Sequence, residues 1–355
     1  MSPGVRGVPE DTAPVRIGVV GATGLVGGEM LRILEERSFP VAELRAYASA
    51  RSDGRRLLFA SGEVVCETLR PGCFDGLDLV VVDVDDPLAV EWVPVAVAAG
   101  ARVVDNSAAF RMDPDVPLVV AEVNPEDLAD LPKGVASCPN CTTMVLVAAL
   151  APLHRAAGLR RMVVSTYQSV SGAGQPGMRE LEEQWTKGAG DWERLRRAGA
   201  AGSLPAGQVW SKPIAGNVIP LAGSVQAAGY TSEEWKLVYE TRKILHDDSI
   251  AVTATCVRVP VFVGHAMTAN LEFSRPIGKA EAVELLSGAP GVMLVDDGDG
   301  APTPLEGAGI DPVLVGRLRE DPSRPGGLDL WVTGDNLRKG AALNAVQMAE
   351  VMIGA

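Results

Sequence analysis

The sequence predicts an α/β fold with two domains: an N-terminal Rossmann-type, doubly wound parallel sheet and a following α+β domain with a mixed, largely antiparallel sheet. The length of 355 residues is more than a single hydrophobic core usually holds. Short Val-rich runs alternate with helical patterns in the first half, whereas the apolar runs of the second half are longer, richer in Thr and alternating in polarity.

The first domain is predicted over residues 15–140. Its apolar runs are bounded by Gly, Asp or Asn, which is typical of strands that are buried on both faces of a parallel sheet. Strands are predicted at 15–20, 44–48, 79–84, 102–104 and 118–120, and helices at 26–37 and 88–99. Strands and helices that alternate at this spacing form βαβ units.

The second domain is predicted over residues 141–336, with strands at 162–168, 250–263, 268–274, 313–319 and 328–333 and helices at 142–157, 177–184 and 233–245. A Gly- and Ala-rich segment, 189–206, is predicted to be a surface loop. The C-terminal helix, 337–355, is amphipathic and is expected to pack back on the first domain. Residues 1–14 contain Pro and Gly but lack the apolar run of a signal peptide, so a disordered tail is expected.

The charge balance favours a small-molecule substrate over a polyanionic partner. With 32 Lys and Arg against 45 Asp and Glu, the net charge of -13 argues against binding to nucleic acid or to an anionic membrane. No apolar run approaches the length of a membrane span. The five cysteines are scattered and odd in number, so reduced thiols and a cytoplasmic location are expected.

A glycine-rich turn, Gly18-Val-Val-Gly21-Ala-Thr-Gly24-Leu-Val-Gly27, follows the first strand and opens the first helix. Glycines at these positions permit a tight turn and a close approach of a pyrophosphate to the helix N-terminus. The turn therefore predicts a dinucleotide site, with a purely structural turn as the alternative. The residues predicted to contact the cofactor here are Gly21, Thr23, Gly24, Leu25, Val26 and Gly27.

The end of the next predicted strand favours NADP(H) over NAD(H). No Asp or Glu stands there to bind a ribose 2′-hydroxyl, and the chain continues instead as Ser49-Ala-Arg51-Ser52. Arg and Ser side chains suit a 2′-phosphate, so Ser49, Arg51 and Ser52 are predicted to contact it. A solvated basic loop is the alternative.

Cys141 is the candidate nucleophile. It stands at the start of a predicted helix, where the helix dipole is expected to lower the pKa of the thiol and favour the thiolate. Asn140 can donate an amide hydrogen bond to a developing oxyanion. An inert buried cysteine is one alternative. A zinc knuckle with Cys138 is another, but no second Cys pair or nearby His pair completes four ligands, and no metal is predicted.

Six segments occur in the order in which the aspartate-β-semialdehyde dehydrogenase family has them, and the chain resembles that family from about residue 15 onward. The segments are GATGLVG (21–27), PNCTT (139–143), STYQSVSG (165–172), EEWK (233–236), CVRVPVFVGH (256–265) and GDNLRKG (334–340). Each segment alone is a weak signal, but the ordered set is specific.

The resemblance implies a covalent reduction. Cys141 would attack the β-carbonyl of L-aspartyl-4-phosphate, phosphate would leave a thioacyl enzyme, and NADPH would reduce it to L-aspartate 4-semialdehyde. The product belongs to the aspartate pathway to lysine (through diaminopimelate), threonine and methionine. In this family the residue matching His265 is the acid/base and the residue matching Gln168 positions the substrate. From the residue pattern alone, a core histidine fits His265 equally well.

The resemblance also implies how the substrate is held. Arg258 corresponds to the bidentate anchor of the α-carboxylate and Glu233 to the partner of the amino group. Lys236 and Arg111 correspond to the phosphate-binding pair, with Asn140 and Ser107 in the same pocket. Without the flanking motifs, Glu233 and Lys236 read as a surface i,i+3 ion pair.

For the cofactor and the assembly, the resemblance places Ser171, Gly172 and Asn336 near the nicotinamide. It implies a homodimer, or a dimer of dimers, formed through the sheet of the second, catalytic and dimerisation domain.

The sequence departs from the family pattern at three positions: Cys138 replaces Asn, Ala121 replaces Pro and Ala266 replaces Ser. None of these removes a reacting group. The second thiol suggests the hypothesis that oxidation joins Cys138 to Cys141. Two rival functions stay open, an N-acetyl-γ-glutamyl-phosphate reductase and a catalytically idle NADP-binding sensor. The reductase normally has Gly-Cys-Tyr-Pro-Thr around its nucleophile, which this chain lacks.

Overall fold

A computed structural model describes residues 8–9, 12–188, 204–205, 207–295 and 301–354. Most of the predicted tail (1–7 and 10–11) and of the predicted surface loop (189–203 and 206) therefore lies outside the described residues. Within the tail, Val8 is half-buried and packs against the hydrophobic core, which a disordered residue would not do.

The first sheet has seven strands in the spatial order β3-β4-β2-β1-β5-β6-β7. Their bounds are β1 Val15–Val20, β2 Val41–Tyr47, β3 Arg56–Phe59, β4 Gly62–Glu67, β5 Leu79–Val82, β6 Arg102–Asp105 and β7 Val135–Ser137. All neighbouring pairs are parallel except β3 and β4, which form an antiparallel hairpin. The predicted Rossmann-type parallel sheet is confirmed.

Burial on both faces explains why the central strands were predictable. All four residues of β5 are buried, as are the last four of β1, so a continuous apolar run is the pattern that such strands need. The predicted strand at 118–120 is wrong, because only Leu118 makes a bridge, to Ser137. The hairpin was missed because its strands lie at the exposed edge of the sheet and carry mixed polarity.

The second sheet has six strands in the order β11-β12-β13-β10-β8-β9. Their bounds are β8 Leu159–Gln168, β9 Ala251–Arg258, β10 His265–Phe273, β11 Val292–Leu294, β12 Val313–Glu320 and β13 Leu328–Gly334. The three central pairs are antiparallel and the two outer pairs are parallel. The predicted mixed, largely antiparallel sheet is confirmed. The strand predicted over 250–263 ends early, at Arg258, since Pro260 has no N–H for a ladder.

The helices are α1 Leu25–Glu36, α2 Asp86–Ala98, α3 Cys141–Ala157, α4 Gly174–Gly188, α5 Ser232–Ile244, α6 Lys279–Ser287, the single turn α7 Pro304–Gly307 and α8 Leu343–Gly354. α3 joins the two sheets and is buried along most of its length. One hydrophobic core therefore runs from Ile17 of β1 through Leu146 of α3 to Met267 of β10. No helix in the described part of the chain is long and apolar enough to cross a membrane.

A π-helical turn, Arg338–Ala342, precedes α8 and returns the chain to the first sheet. The side chain of Arg338 pairs with Glu29 of α1 at 2.8 Å, and further along α8 Glu350 pairs with Arg37 at 2.7 Å. Gly340 of the same turn lies against the start of α3, where a Cβ atom on Gly340 would be 2.9 Å from the Cβ of Cys141. The C-terminal segment thus contacts both the first domain and the candidate nucleophile.

Candidate active site

A cavity of about 660 Å³ opens between the two sheets. It extends from Leu25 and Val26 at the start of α1 to Cys141 at the start of α3, and the second sheet closes its far side. Gln168 ends β8 and Arg258 ends β9, directly beside it in register. His265 begins β10, which runs antiparallel to β8. The topology therefore brings three residues from two separate motifs to one end of the sheet.

Cys141 and His265 form a close pair, with the sulfur 3.2 Å from His265 Nε2. Cys141 is the first residue of α3, and Asn140 caps that helix, since Asn140 Oδ1 accepts from the N–H groups of Thr142 (3.0 Å) and Thr143 (3.4 Å). His265 is fully buried, and the backbone N–H of Ser169 donates to its Nδ1 at 3.1 Å. The position of Cys141 is thus set by the capped start of α3, and the His265 ring is held by the backbone N–H of Ser169.

The pKa of the Cys141 thiol corrects one sequence-based expectation. Burial raises the pKa of Cys141 to about 11, and the carboxylate of Glu233 adds to this, while Arg258, Lys236 and Arg111 oppose it. The helix N-terminus is where it was predicted, and burial is the largest cause of the raised pKa of this thiol. Burial, and then the charge of Arg258, hold the pKa of His265 well below its ordinary value. Both shifts favour the neutral forms, a thiol on Cys141 and an uncharged imidazole on His265.

Three buried donor atoms in this cavity face no acceptor among the described residues: Gln168 Nε2, Arg111 Nε and Arg258 Nε. Buried donors in native proteins nearly always have a partner, so these three donors suit a ligand rich in acceptors. Other atoms of the two arginines are engaged. Arg258 Nη1 donates to the carbonyl of Ser169 at 2.7 Å, and Arg111 Nη1 pairs with Glu240 at 3.1 Å.

Glu233 and Lys236 line the cavity, and the alternative of a surface ion pair is wrong. Their side chains are 2.6 Å apart, and Glu233 also accepts from Asn140 Nδ2 at 2.9 Å. Burial opposes the ionisation of Glu233, but Lys236 and Asn140 outweigh it, so the pKa of Glu233 lies below its ordinary value. One of the two amide hydrogens of Asn140 is thus used by Glu233, and an oxyanion would have to take the other.

Ser107 is the predicted substrate residue that does not line this cavity. Its hydroxyl donates to Asp105 at 2.8 Å, at the end of β6, and its backbone N–H donates to the same carboxyl group. The neighbouring Asn106 lines the cavity instead, with its amide donating to Asp83 at 2.7 Å. The loop reaches the cavity through Asn106, whereas the hydroxyl of Ser107 is turned toward Asp105.

The glycine-rich turn has the geometry that the sequence predicts. Gly21 has φ +92°, and a Cβ on Gly27 would collide with the carbonyl of Gly21. Gly24 is the cap of α1 and offers no side chain to its N-terminus. Leu25 and Val26 line the cavity, whereas Thr23 lies in the turn between them and Gly21.

The predicted nicotinamide residues, Ser171, Gly172 and Asn336, line the same cavity as Cys141. A Cβ on Gly172 would lie 3.0 Å from Arg258 Nη1 and 3.3 Å from His265 Cε1, so only glycine keeps this approach open. A dinucleotide that starts at α1 therefore has a continuous path to the sulfur.

Ser49, Arg51 and Ser52 follow β2, with Arg51 and Ser52 in a short 3₁₀ turn, Ala50–Ser52. β2 is the parallel neighbour of β1, and Tyr47 pairs with Val20, just before the glycine-rich turn. The three residues do not line the cavity. Their contact with a 2′-phosphate stays a prediction.

Cys138 and Cys141 have different partners. The Cys138 sulfur is fully buried, 3.5 Å from Met348 Sδ of α8, and burial raises its pKa to about 12. All five cysteines, which lie within the described residues, are free thiols. These contacts favour neither a shared metal nor a bond between Cys138 and Cys141.

Comparison with known proteins decides the family. The profile "Semialdehyde dehydrogenase, NAD binding domain" matches residues 16–131, and "Semialdehyde dehydrogenase, dimerisation domain" matches residues 150–339. A curated aspartate-semialdehyde dehydrogenase from Streptomyces akiyoshiensis is 50% identical over 340 residues, which cover 95% of this chain and 98% of the relative. The chain belongs to the aspartate-semialdehyde dehydrogenase family. The resemblance inferred from the six segments is confirmed.

Solved structures of the aspartate-semialdehyde dehydrogenase family share the whole fold. Aspartate semialdehyde dehydrogenase II from Vibrio cholerae, complexed with ASA, has a TM-score of 0.91 at 40% identity and covers 96% of this chain and 99% of its own. The enzyme from Candida albicans, solved with NADP, has a TM-score of 0.71 at 25% identity and covers 96% of this chain and 98% of its own.

Sequence reasoning missed the residue that pairs with Arg111 and the aromatic ring that lies beside Arg258. Glu240, which holds Arg111, lies four residues after Lys236 and seven after Glu233, so the helical spacing on α5 could have revealed it. Trp210 lines the cavity, with its ring 6.0 Å from the guanidinium carbon of Arg258. No pattern in the sequence around Trp210 pointed to that position.

Proposed function

We propose that this chain is an NADP-dependent aspartate-semialdehyde dehydrogenase, which reduces L-aspartyl-4-phosphate to L-aspartate 4-semialdehyde and releases phosphate. The observation that carries the proposal is the Cys141–His265 pair, 3.2 Å apart, in a cavity with three buried donors that suit an acceptor-rich ligand. The substrate is such a ligand, since it carries a carboxylate, a carbonyl and a phosphate.

The sulfur of Cys141 forms a bond to the β-carbonyl carbon, and the bond from that carbon to the phosphate oxygen breaks. In the net reaction the thiol proton passes to the released phosphate as the thioester forms. His265 hydrogen-bonds the sulfur, and Gln168 has an amide N–H free to hold the carbonyl end of the substrate. When bound, the nicotinamide cofactor supplies the hydride that converts the thioester into the aldehyde.

Each charged side chain in the cavity suits a different part of the substrate. Arg258 lies deep beside Trp210 and suits the α-carboxylate, and Glu233 offers a carboxylate to the α-amino group. Arg111 and Lys236 supply the positive charge for the phosphate. Because the whole chain carries a net charge of -13, these cations concentrate positive charge against the overall field.

The first domain supports NADP(H) as the cofactor. The glycine-rich turn gives a pyrophosphate access to the start of α1, and Arg51 with Ser49 and Ser52 follows the neighbouring strand. Ser171, Gly172 and Asn336 border the end of the path beside the sulfur.

We further propose a homodimer, or a dimer of dimers, in the cytoplasm. On β8 the residues Val163, Ser165 and Tyr167 are half-buried and alternate with fully buried ones, so one face of the second sheet stays open. Tyr167 packs its ring 5.6 Å from that of Trp331 on this face. Aromatic surface of this kind suits a subunit interface.

A phosphate-dependent assay tests the function. Purified enzyme with aspartate semialdehyde, phosphate and NADP⁺ is expected to form NADPH, and to form none when phosphate is omitted. Activity with N-acetylglutamate semialdehyde instead would support the rival reductase. Tight NADPH binding without turnover of either aldehyde would support the idle sensor.

A further inference from the structure

The segment 207–215 borders the cavity as irregular backbone, and helix α4 holds its start. Glu180 of α4 is buried, and one oxygen of its carboxylate, Oε2, accepts the backbone N–H groups of Gln208 and Val209, both at 2.7 Å. A Cβ on Gly207 would collide with the other carboxylate oxygen, so the backbone passes directly over this side chain. Hydrogen bonds from backbone N–H groups to a carboxylate are among the stronger ones in proteins.

Gln184, one helical turn after Glu180, fixes the end of the same segment. Its side chain is buried, and its Oε1 accepts the backbone N–H groups of Ile214 at 2.8 Å and Ala215 at 3.0 Å. Its Nε2 donates to the carbonyl of Pro205 at 3.3 Å and to Glu180 Oε1 at 3.4 Å. The two side chains of α4 therefore bind the segment at both ends and also bind each other.

Trp210 lies between these two points of attachment and lines the cavity. Its ring lies 6.0 Å from the guanidinium carbon of Arg258, which is within the range of a cation–π contact. A Cβ on Gly177 of α4 would lie 2.9 Å from Trp210 Cη2, so the indole also rests on the helix. The indole thus connects α4 to the arginine to which the α-carboxylate is assigned.

The backbone that follows the segment leads to the same arginine. The N–H of Ile219 donates to the carbonyl of Arg258 at 2.9 Å, and the N–H of Arg258 donates to the carbonyl of Ile219 at 2.8 Å. Arg258 Nε is a buried donor that has no acceptor among the described residues. A shift of the segment would therefore change the surroundings of an arginine that has a donor left for a ligand.

We propose that Glu180 and Gln184 are positioning residues for substrate recognition: they hold the segment 207–215 so that Trp210 covers the guanidinium of Arg258 and completes the binding site for the carboxylate of an α-amino acid. This inference rests on the proposed function, because it takes Arg258 as the ligand of that carboxylate. A ring beside the guanidinium excludes water, and a lower local dielectric strengthens the bonds of the guanidinium to a carboxylate. Glu180 and Gln184 do not line the cavity, so their loss should affect binding and not the chemistry at Cys141.

Steady-state kinetics of two Glu180 variants test the positioning. E180Q keeps one acceptor oxygen, which suffices because both N–H groups donate to the same atom, whereas E180A keeps none. We expect the KM for aspartate semialdehyde to rise on the order of tenfold in E180A and by less than about threefold in E180Q, with kcat and the KM for phosphate unchanged. A fall in kcat without a rise in KM in E180A, or an equal rise in KM in both variants, would overturn the proposal.

A double variant shows whether Glu180 acts through Trp210. W210A is expected to raise the KM for aspartate semialdehyde about as much as E180A does, and W210F, which keeps an aromatic ring, to raise it less. The KM of E180A/W210A should equal that of W210A, because both changes remove the same contact. Independent effects, in which the two rises in KM multiply, would refute the proposal. An unchanged KM in W210A would refute it whether or not E180A folds.

Fluorine NMR tests the position of the indole without turnover. The chain has 6 tryptophans, and in enzyme labelled with 5-fluorotryptophan the W210F variant identifies the signal of Trp210. We expect this signal to shift or broaden in E180A and to keep its position in E180Q. An unmoved signal in E180A would mean that the carboxylate does not hold the indole, against the proposal. If the wild-type enzyme fails to turn over aspartate semialdehyde but the signal moves as expected, only the proposed function is refuted.

Discussion

Arg111 donates to Glu240 across 3.1 Å in a buried ion pair, and the other oxygen of the same carboxylate accepts the backbone N–H of Asn140 at 2.7 Å. One side chain of α5 thus fixes both a proposed phosphate ligand and the residue before the nucleophile. Glutamine could accept only one of these two bonds, since its second terminal atom is itself a donor.

We therefore expect E240Q to destabilise the protein by about 1–3 kcal/mol and to raise the KM for phosphate. Urea denaturation and phosphate-dependent NADPH formation measure the two effects. E281Q is the matched control, because Glu281 forms an exposed pair with Arg275 that contributes little. If E240Q behaves like E281Q, the buried carboxylate does not position Arg111.

Gly340 is expected to be essential because of its contact with the nucleophile. A Cβ on Gly340 would lie 2.9 Å from the Cβ of Cys141, so G340A has to displace the sulfur or the π-helical turn. We expect kcat to fall by about 10²-fold, since small misplacements of a reacting group are costly. G288A is the control, because nothing lies within 4 Å of its added Cβ. Unchanged kcat in G340A would show that the turn yields without moving Cys141.

Lys339 is fully buried and pairs with Glu122, and Asn344 and Gln347 accept from it at 3.2 and 3.1 Å. Replacement by methionine leaves the Glu122 carboxylate buried without its cation, and we expect a loss of about 3–5 kcal/mol in the free energy of unfolding. The double variant K339M/E122Q is expected to recover part of this loss. Urea denaturation of both variants measures the free energy of unfolding. If K339M loses no more of this free energy than E281Q does, the prediction is contradicted.

The reactivity of Cys141 is expected to depend on pH as that of a high-pKa thiol does. Because burial raises its pKa to about 11, the thiolate fraction of the ligand-free enzyme grows about tenfold with each pH unit between 7 and 10. The rate of alkylation by iodoacetamide should rise in parallel, with C141S as the control for the four buried cysteines. An alkylation rate that levels off below pH 8 would instead show that the pKa of Cys141 is lowered, as expected from the helix dipole.

The R51D variant tests the cofactor preference. The change puts a carboxylate where a 2′-phosphate is expected, so NADPH affinity should fall by at least about 1.4 kcal/mol, or tenfold, while NADH affinity changes little. Fluorescence titration with both cofactors measures this. R55D, at another arginine three residues past the 3₁₀ turn, is the matched control for a local change of charge. Equal losses of affinity for NADPH and NADH would mean that Arg51 does not contact the 2′-phosphate.

The fold was predictable where local pattern and burial agree. β1 was predicted with its observed bounds, and α1 to within one residue, because strands buried on both faces and a helix start after a glycine turn leave clear signals. The β3–β4 hairpin leaves no such signal, since its edge strands are half-exposed. Where a partner that is distant in the sequence decides how far an element extends, a local pattern cannot predict its ends. The single bridge of Leu118 to Ser137 is an example.

The site was predictable as a set of residues but not as a set of contacts. Motif order led to Cys141, Gln168, Arg258 and His265, which all line one cavity. The pKa of Cys141 follows from how deep the sulfur lies, and depth is a property of the folded chain. For the same reason Ser107 was assigned to a pocket from which its hydroxyl turns away toward Asp105.

Three successive residues of the π-helical turn each touch a different part of the molecule. Arg338 holds Glu29 on the helix that starts at the dinucleotide turn, Lys339 holds Glu122, and Gly340 rests on Cys141. Only two peptide units separate the residue that holds that helix from the residue that lies against Cys141. The helix that opens at the dinucleotide turn and the nucleophile are thus joined by contacts from one short stretch of backbone.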